Sequence, residues 1–325
     1  MRPPMSSRRL LSFYLSLLVV PLVTSCGRQP RKSIAVIPMG QAHLFWQSVH
    51  AGAEAAARES DVEIVWNGPP TETDITGQLE IIETMINRRV DAIVLAPISR
   101  QALVGVVERA WREKIPVVIF DSPIDTEHFV SQVATDNYLA GQMAAERMAE
   151  ILGGRGEVGV VATQPGAAST MARERGFEDK IRESFPEIKI VDKRYGMADF
   201  AKSLGVAENM LTAHPNLDGI FASNETSSTG AMQALKSRPG TKVKLVGFDW
   251  SPQLLAELRA GLIDSLIVQH PFRMGYEATR AAVEAVSGKT PPKINNLAPR
   301  LVTHENLDNP DVQQQLNPDL KKYLG

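Results

Sequence analysis

Cysteine is almost absent: the 325-residue chain has one, Cys26. A single thiol closes no intrachain disulfide and cannot build a thiolate metal site, so stability must come from burial in full-sized cores. Neither sign of charge is in excess. Lys and Arg number 35 against 37 Asp and Glu, a formal net charge of −2, and no basic block offers a footprint for nucleic acid. The six histidines are scattered and form no i,i+4 pair, which removes the helical zinc motif of metalloproteases. A P-loop and the strained serine turn of hydrolases are also missing. The best candidate for a phosphate loop, Gly153-Gly154-Arg155-Gly156, precedes a strand pattern, whereas a dinucleotide fingerprint follows one. It reads as a helix stop with a tight turn. No metal, cofactor or catalytic residue is therefore expected. What is present is 43% hydrophobic and 22% charged, a composition that packs, in a chain long enough for two domains.

The N-terminal apolar run, Leu10 to Leu22, is about 13 residues and carries Ser12 and Ser16. A membrane-spanning helix needs about 20. Arg2, Arg8 and Arg9 precede the run and residues 1–25 hold no acid, which together make an export signal. Val23-Thr24-Ser25-Cys26 resembles the lipobox of bacterial lipoproteins. That resemblance implies that residues 1–25 are removed and that Cys26 becomes the lipidated first residue of the mature chain. Ser7-Arg8-Arg9 also hints at a twin-arginine signal, so Sec and Tat export both stay open. Loss of three arginines and no acids takes the net charge from −2 to −5. Residues 26–32, with Pro30, read as a polar tether.

Beyond the tether, strand-length apolar runs recur about every 30 residues. Ile34–Ile37, Val62–Trp66, Ala92–Leu95 and Val117–Phe120 form a first series. Ile75, Leu79, Ile82 and Ile86 share one helix face between them, as do Leu103, Val107 and Ala110. A second series follows: Val158–Val161, Ile188–Asp192, Gly219–Ala222, Lys244–Phe248 and Ser265–Val268. Helices are expected near Leu139–Leu152, Ala168–Glu183, Asp199–Thr212 and Ser227–Lys236. Near-continuous apolar strands alternating with helices imply parallel sheets covered on both faces. The expected architecture is two doubly wound α/β lobes joined by hinge crossovers. Residues 33–135 and 270–298 make the first lobe, and residues 136–269 and 299–308 the second. Residues 309–325 are expected to be a surface tail without a core of its own.

Ligands of open α/β sheets bind outside the carboxyl ends of the strands. Those ends carry His43, Phe45 and Trp46, then Ala96 and Pro97, then Asp121 and Ser122. In the second half they carry Asn224, Asp249 and Gln269. Carboxylates, amides and a guanidinium engage neighbouring hydroxyls, and aromatic rings cover the C–H faces of a sugar. Each residue also has an ordinary structural reading. Asp, Asn and Ser after a strand form turns or cap helices, and Phe45 and Trp46 could be core.

Several stretches carry a wider resemblance. They are Phe45-Trp46-x-Ser48 with Gly52-Ala53, Ala134-Thr135-Asp136-Asn137, Ala172-Arg173-Glu174-Arg175-Gly176, Leu211-Thr212-Ala213-His214-Pro215, Val246-Gly247-Phe248-Asp249, and Gln269. Over roughly residues 33–305 the chain resembles the ribose-binding protein family of ABC-transporter receptors, which have the type I periplasmic binding fold. The resemblance implies that Phe45 and Trp46 pack on a sugar and that Asp121 takes its hydroxyls from the first lobe. It implies that Arg173, Asn224 and Asp249 bind from the second lobe, that Phe200 closes from the opposite side, and that Gln269 is a hinge-adjacent amide. Departures from the ribose binders fall at His43, Ala96 and Ser122, where those proteins carry Asn, Asn and Arg, and Trp250 is bulkier than the residue usual there. His43, Ser122 and Trp250 are thus further candidates for ligand contact. The fold carries over, and ribose as ligand does not. The expected protein is an exported, lipid-anchored monomer. It sits in the periplasm or on the outer face of the cell membrane, holds a sugar or polyol, and delivers it to ABC permease subunits. A role in reporting ligand to a membrane sensor kinase or chemoreceptor is the alternative, and a sugar-processing α/β enzyme a remote one. A sugar-responsive repressor would need a DNA-binding helix pair where the export signal stands.

Overall fold

The computed structural model describes residues 31–41 and 43–325, together with Met1. The expected export signal, Cys26 and the tether as far as residue 30 lie outside the described residues.

Two six-stranded sheets organise the chain. The first contains β1 (Ser33–Ile37), β2 (Glu63–Trp66), β3 (Ala92–Leu95), β4 (Val117–Phe120), β5 (Ser131–Thr135) and β11 (Ile294–Leu297), in the order β11-β5-β4-β3-β1-β2. The second contains β6 (Gly156–Ala162), β7 (Ile188–Tyr195), β8 (Leu217–Ala222), β9 (Lys244–Phe248), β10 (Ser265–Val268) and β12 (Arg300–Thr303), in the order β12-β10-β9-β8-β6-β7. The two orders superpose strand for strand. The exception in direction is the last: β11 runs parallel to β5, while β12 runs antiparallel to β10.

Both faces of each sheet are buried, which is why the strands read as continuous apolar runs. Along β1, Ile34 and Val36 pack on one side with α1 (Leu44–Ser60) and α9 (Pro271–Val286). Ala35 and Ile37 pack on the other with α2 (Ile75–Asn87) and α3 (Val104–Arg112). In the second lobe, α4 (Asn137–Leu152) and α5 (Ala168–Ser184) cover one face. The other is covered by α6 (Phe200–Ala213), α7 (Glu225–Lys236) and α8 (Pro252–Arg259). α4 stops at Gly153, which takes the left-handed conformation at φ 64° before β6 begins at Gly156, so the glycine cluster is a helix stop.

Two helix crossings are tighter than any side chain permits. A Cβ at Gly52 of α1 would sit 1.9 Å from the Phe272 carbonyl oxygen of α9. In the other lobe, a Cβ at Gly141 of α4 would sit 1.9 Å from the Arg173 carbonyl oxygen of α5. The second crossing fixes the backbone of Arg173 against the helix that leads out of the first lobe.

The chain passes between lobes after β5, after β10 and after β11. The C-terminal residues correct an expectation. They are not a coreless tail: α10 (Pro310–Leu316) buries Val312 and Leu316 in the second lobe's core. Gln315 Nε2 of α10 donates to the Gln269 carbonyl at 2.7 Å. α11 (Leu320–Leu324) then lies on the first lobe, where the Arg58 guanidinium donates to the Lys322 and Tyr323 carbonyls, each at 2.7 Å. Apolar residues at Leu307, Val312 and Leu316 explain the docking; their spacing is hidden among Gln and Asp. The last residues thus strap the two lobes across the crossover at Gln269. A chain ending at Asn317 should melt lower by about 2–4 °C, the equivalent of roughly 1 kcal/mol, and Arg58→Ala should reproduce part of that loss. Thermal denaturation measures both, and unchanged melting in the two variants would show that the strap carries no stability.

Candidate functional site

One cavity draws its lining from six strand ends: Met39 after β1, Asp121 after β4, Thr163 after β6, Asn224 after β8, Asp249 after β9 and Gln269 after β10. It lies where the two lobes face each other. Asp121 and Asp249 occupy equivalent places, each directly following the fourth strand of its lobe. Each takes the left-handed conformation, φ 61° and φ 64°, and each N–H donates to the neighbouring strand, to Val133 at 3.0 Å and Ile267 at 2.8 Å. Non-glycine residues rarely adopt that conformation, although Asp tolerates it better than most. Here it aims a carboxylate into the cavity from either side.

Arg173 is the cation between them. It is 2% exposed and held on three sides. Its Nε donates to Asn137 Oδ1 at 2.7 Å, its Nη1 to the Ser223 carbonyl at 3.1 Å, and its guanidinium lies 3.9 Å from the centroid of the Phe248 ring. Nη1 also stands 3.9 Å from Asp249 Oδ2. Gln269 ties this group to the crossovers: its Nε2 donates to Asp249 Oδ1 at 2.8 Å, and its Oε1 accepts from Thr135 Oγ1 at 2.7 Å.

The lobes also touch directly. Gln164 Nε2 donates to the Glu72 carbonyl at 2.8 Å, and the Ser169 N–H to Ser122 Oγ at 3.2 Å. The Phe45 backbone faces the Glu225 carboxylate and acts to lower its pKa. On the first lobe's wall, Phe45 and Trp46 meet edge to face at 4.9 Å, and Trp46 Nε1 donates to Glu72 Oε1 at 2.7 Å. His43 Nε2 stands 3.7 Å from the same oxygen.

The residues that match a periplasmic binding protein domain profile span 34–290. The chain is 30% identical to the D-allose-binding periplasmic protein of Escherichia coli, over 86% of this chain and 93% of that one. It is also 30% identical to a ribose import binding protein of Bacillus subtilis, over 75% and 78%. Among solved structures, a carbohydrate transporter solute binding protein from Agrobacterium radiobacter, in complex with D-arabinose, aligns with a TM-score of 0.86. That alignment has 31% identity and covers 89% of this chain and all of the other. The chain belongs to the periplasmic binding protein family. Its fold is the type I fold of that family, and the family is one of binding proteins rather than enzymes.

The structure brings His43, Phe45, Trp46, Asp121, Arg173, Asn224, Asp249 and Gln269 to the cavity. Three of the candidates stand elsewhere. Phe200 opens α6 and is 44% exposed, outside the lining, because the left-handed turn at Met197 and Ala198 sets where that helix starts. Ser122 is buried in the contact with Ser169. Trp250 packs against the second lobe's core. Asn224 has two roles: its Oδ1 caps α7 by accepting from the Ser227 N–H at 2.9 Å, which leaves its NH2 for a ligand.

Sequence reasoning missed Glu72, Glu225 and the segment between Thr163 and Thr170. The segment follows β6, and reading that strand end as the others were read would have found it. Glu225 sits beside Asn224 and was open to the same reading. Glu72 stands six residues past β2 and carries no local signal.

Burial governs the acids here. It pushes Asp121 up to about 7; Arg173 opposes, and Glu72 and Asp249 add to the rise. It pushes Glu225 up to about 8, with Asp249 and Glu72 adding and the Phe45 backbone opposing. Asp249 is raised by burial as well, against Arg173, Gln269, the Glu225 N–H and His43. A folded acid with a raised pKa holds its proton where the unfolded chain has released it, so its contribution to stability is present at low pH and lost as pH rises through the folded value. The unliganded protein should therefore lose stability from about pH 4, where these acids ionise in the unfolded chain, up to about pH 8, and level off above it. The double variant Asp121→Asn, Glu225→Gln should be flatter over that window. Denaturant titrations at several pH values decide it, and equal slopes in the two proteins would remove these acids as the cause.

Proposed function

We propose that this chain is the exported, lipid-anchored receptor of an ABC importer, capturing a monosaccharide or similar polyol between its lobes and presenting it to the permease. The observation that carries the reading is the pairing of Asp121 and Asp249 from opposite lobes around the fixed guanidinium of Arg173. Such a set accepts and donates hydrogen bonds at fixed angles, as hydroxyls on a rigid ring require. Phe45 and Trp46 add an aromatic wall for the ring's C–H face. The relatives named above are described by their sugars, allose, ribose and arabinose, and a solute binding protein from Agrobacterium vitis with D-fucose bound is 33% identical with a TM-score of 0.85. A ligand that touches both lobes favours the closed arrangement by its differential affinity for it. Ser122 and Ala96 stand where ribose binders carry Arg and Asn, so ribose itself should bind weakly.

Titration calorimetry against pentoses, hexoses, deoxy and amino sugars and polyols tests the reading. A member should bind at micromolar Kd or tighter, about −8 kcal/mol. Asp249→Ala should weaken that member by about 1.5–3 kcal/mol, since it removes charge-assisted hydrogen bonds from the ligand. Folded protein that binds no member would overturn the sugar assignment.

The anchor rests on Val23-Thr24-Ser25-Cys26 after the apolar run. Cys26→Ala should release the protein from membranes and leave its melting unchanged. Labelling with a fatty-acid probe and fractionation read this out; label retained by Cys26→Ala would rule out the anchor.

A further inference from the structure

The cavity holds more acid than a neutral ring needs. Glu72, Asp121, Glu225 and Asp249 all line it, and among the described residues Arg173 is its one Lys or Arg. His43 is the remaining basic group and lies against Glu72. The hydrogen-bond inventory is equally lopsided. Asp121 is 4% exposed and no donor among the described residues reaches its carboxylate. One oxygen of Glu225, Oε2, is buried without a partner. Much of the cavity's donor capacity is taken: Arg173 by Asn137 and Ser223, Trp46 by Glu72, and the Gln269 amide by Asp249.

A hydroxyl both donates and accepts, and this wall offers a ring of hydroxyls few free donors beside its four acids, chiefly the Asn224 NH2 and the remaining Arg173 N–H groups. An ammonium has three donors and no acceptor, and its charge offsets buried carboxylates that otherwise repel one another or take up protons. The four acids do not themselves make a metal site, since no group of three or more His, Cys, Asp or Glu among the described residues is placed to hold an ion.

We propose that the preferred ligand carries a protonated amine, an amino sugar or amino polyol whose ammonium is received by Glu225 together with Glu72 or Asp249, while Asp121 and Arg173 take its hydroxyls. The proposal rests on the reading of this cleft as a monosaccharide site and narrows the ligand class within it. Glu72 enters from the loop before α2 and Glu225 from the first turn of α7, and the family resemblance marked neither. Ser122, buried in its contact with Ser169, brings no charge to offset them. Binding an ammonium also favours the ionised form of acids that burial keeps protonated, so capture should release protons.

The experiment is calorimetry at pH 6, where the free amine is already protonated, with glucosamine and galactosamine, each beside its parent hexose and its N-acetyl derivative. It is run in two buffers of different ionisation enthalpy. At least one free amine should bind about tenfold or more tightly than its parent and its N-acetyl form, with net proton release. Glu225→Gln should bring the ratio of amine to parent close to one, with circular dichroism showing that the variant is folded. A neutral sugar that binds as tightly as every amine would overturn the proposal and leave the sugar site standing. Failure of every compound in the wider sugar panel to bind folded protein would remove the sugar site itself.

Discussion

A guanidinium with 2% of its surface exposed must have its N–H groups occupied and negative charge nearby, and Arg173 sets that demand at the centre of this molecule. Meeting it draws in distant parts of the chain. Asn137, whose Oδ1 accepts from the Arg173 Nε–H, is the first residue of α4, just past the crossover out of the first lobe. Ser223 and Phe248 come from the ends of two neighbouring strands of the second sheet. The backbone of Arg173 is seated on Gly141, where a methyl group would collide with its carbonyl. The cation is therefore placed by packing before any ligand arrives, so little ordering entropy remains to oppose binding.

The repeated lobe supplies the other half of the geometry. Because the two sheets share one strand order, the positions after the fourth strands are equivalent, and the same left-handed turn delivers Asp121 from one lobe and Asp249 from the other. The equivalence ends at the helix starts. Where α1 offers Phe45 and Trp46, α5 offers Ala168, Ser169 and Thr170. One lobe thus presents an aromatic wall and the other small polar residues with the locked arginine. Gln269 joins the pair to the hinge: it is bonded to Thr135 at one crossover, to Asp249 in the site and to Gln315 of the strap.

How far this could be read in advance follows from what each residue faces. Ala92–Leu95, Val117–Phe120, Lys244–Phe248 and Ser265–Val268 match the observed strands end for end, because strands buried on both faces leave an unbroken apolar record. β5, β11 and β12 went unread. Ser131-Gln132 and Asn295-Asn296 dilute the first two, and β11 and β12 are edge strands with a side turned to solvent. The site residues that sit directly at strand ends were legible by position. Trp250 and Ser122 follow the same strands by one residue more, and that one step turns them to the core and to the lobe contact. Glu72 enters the cavity only because α2 and its preceding loop fold against β1, which is a tertiary fact with no local trace.

The closed arrangement carries an electrostatic load. Glu72 and Asp121 come from one lobe and Glu225 and Asp249 from the other, and bringing the pairs together strips water from all four while Arg173 offsets only part of the charge. Opening the cleft would rehydrate them. Without a ligand, then, closure is opposed by desolvation and by like charge, and it is helped by the few direct lobe contacts at Gln164 and Ser169. A ligand that donates hydrogen bonds to both pairs reverses the balance, since each bond it makes is available only when the lobes are together. On the proposed reading, recognition and closure are one interaction. A molecule that satisfied only one lobe's acids would bind without shifting the arrangement, because it would have no differential affinity for the closed state.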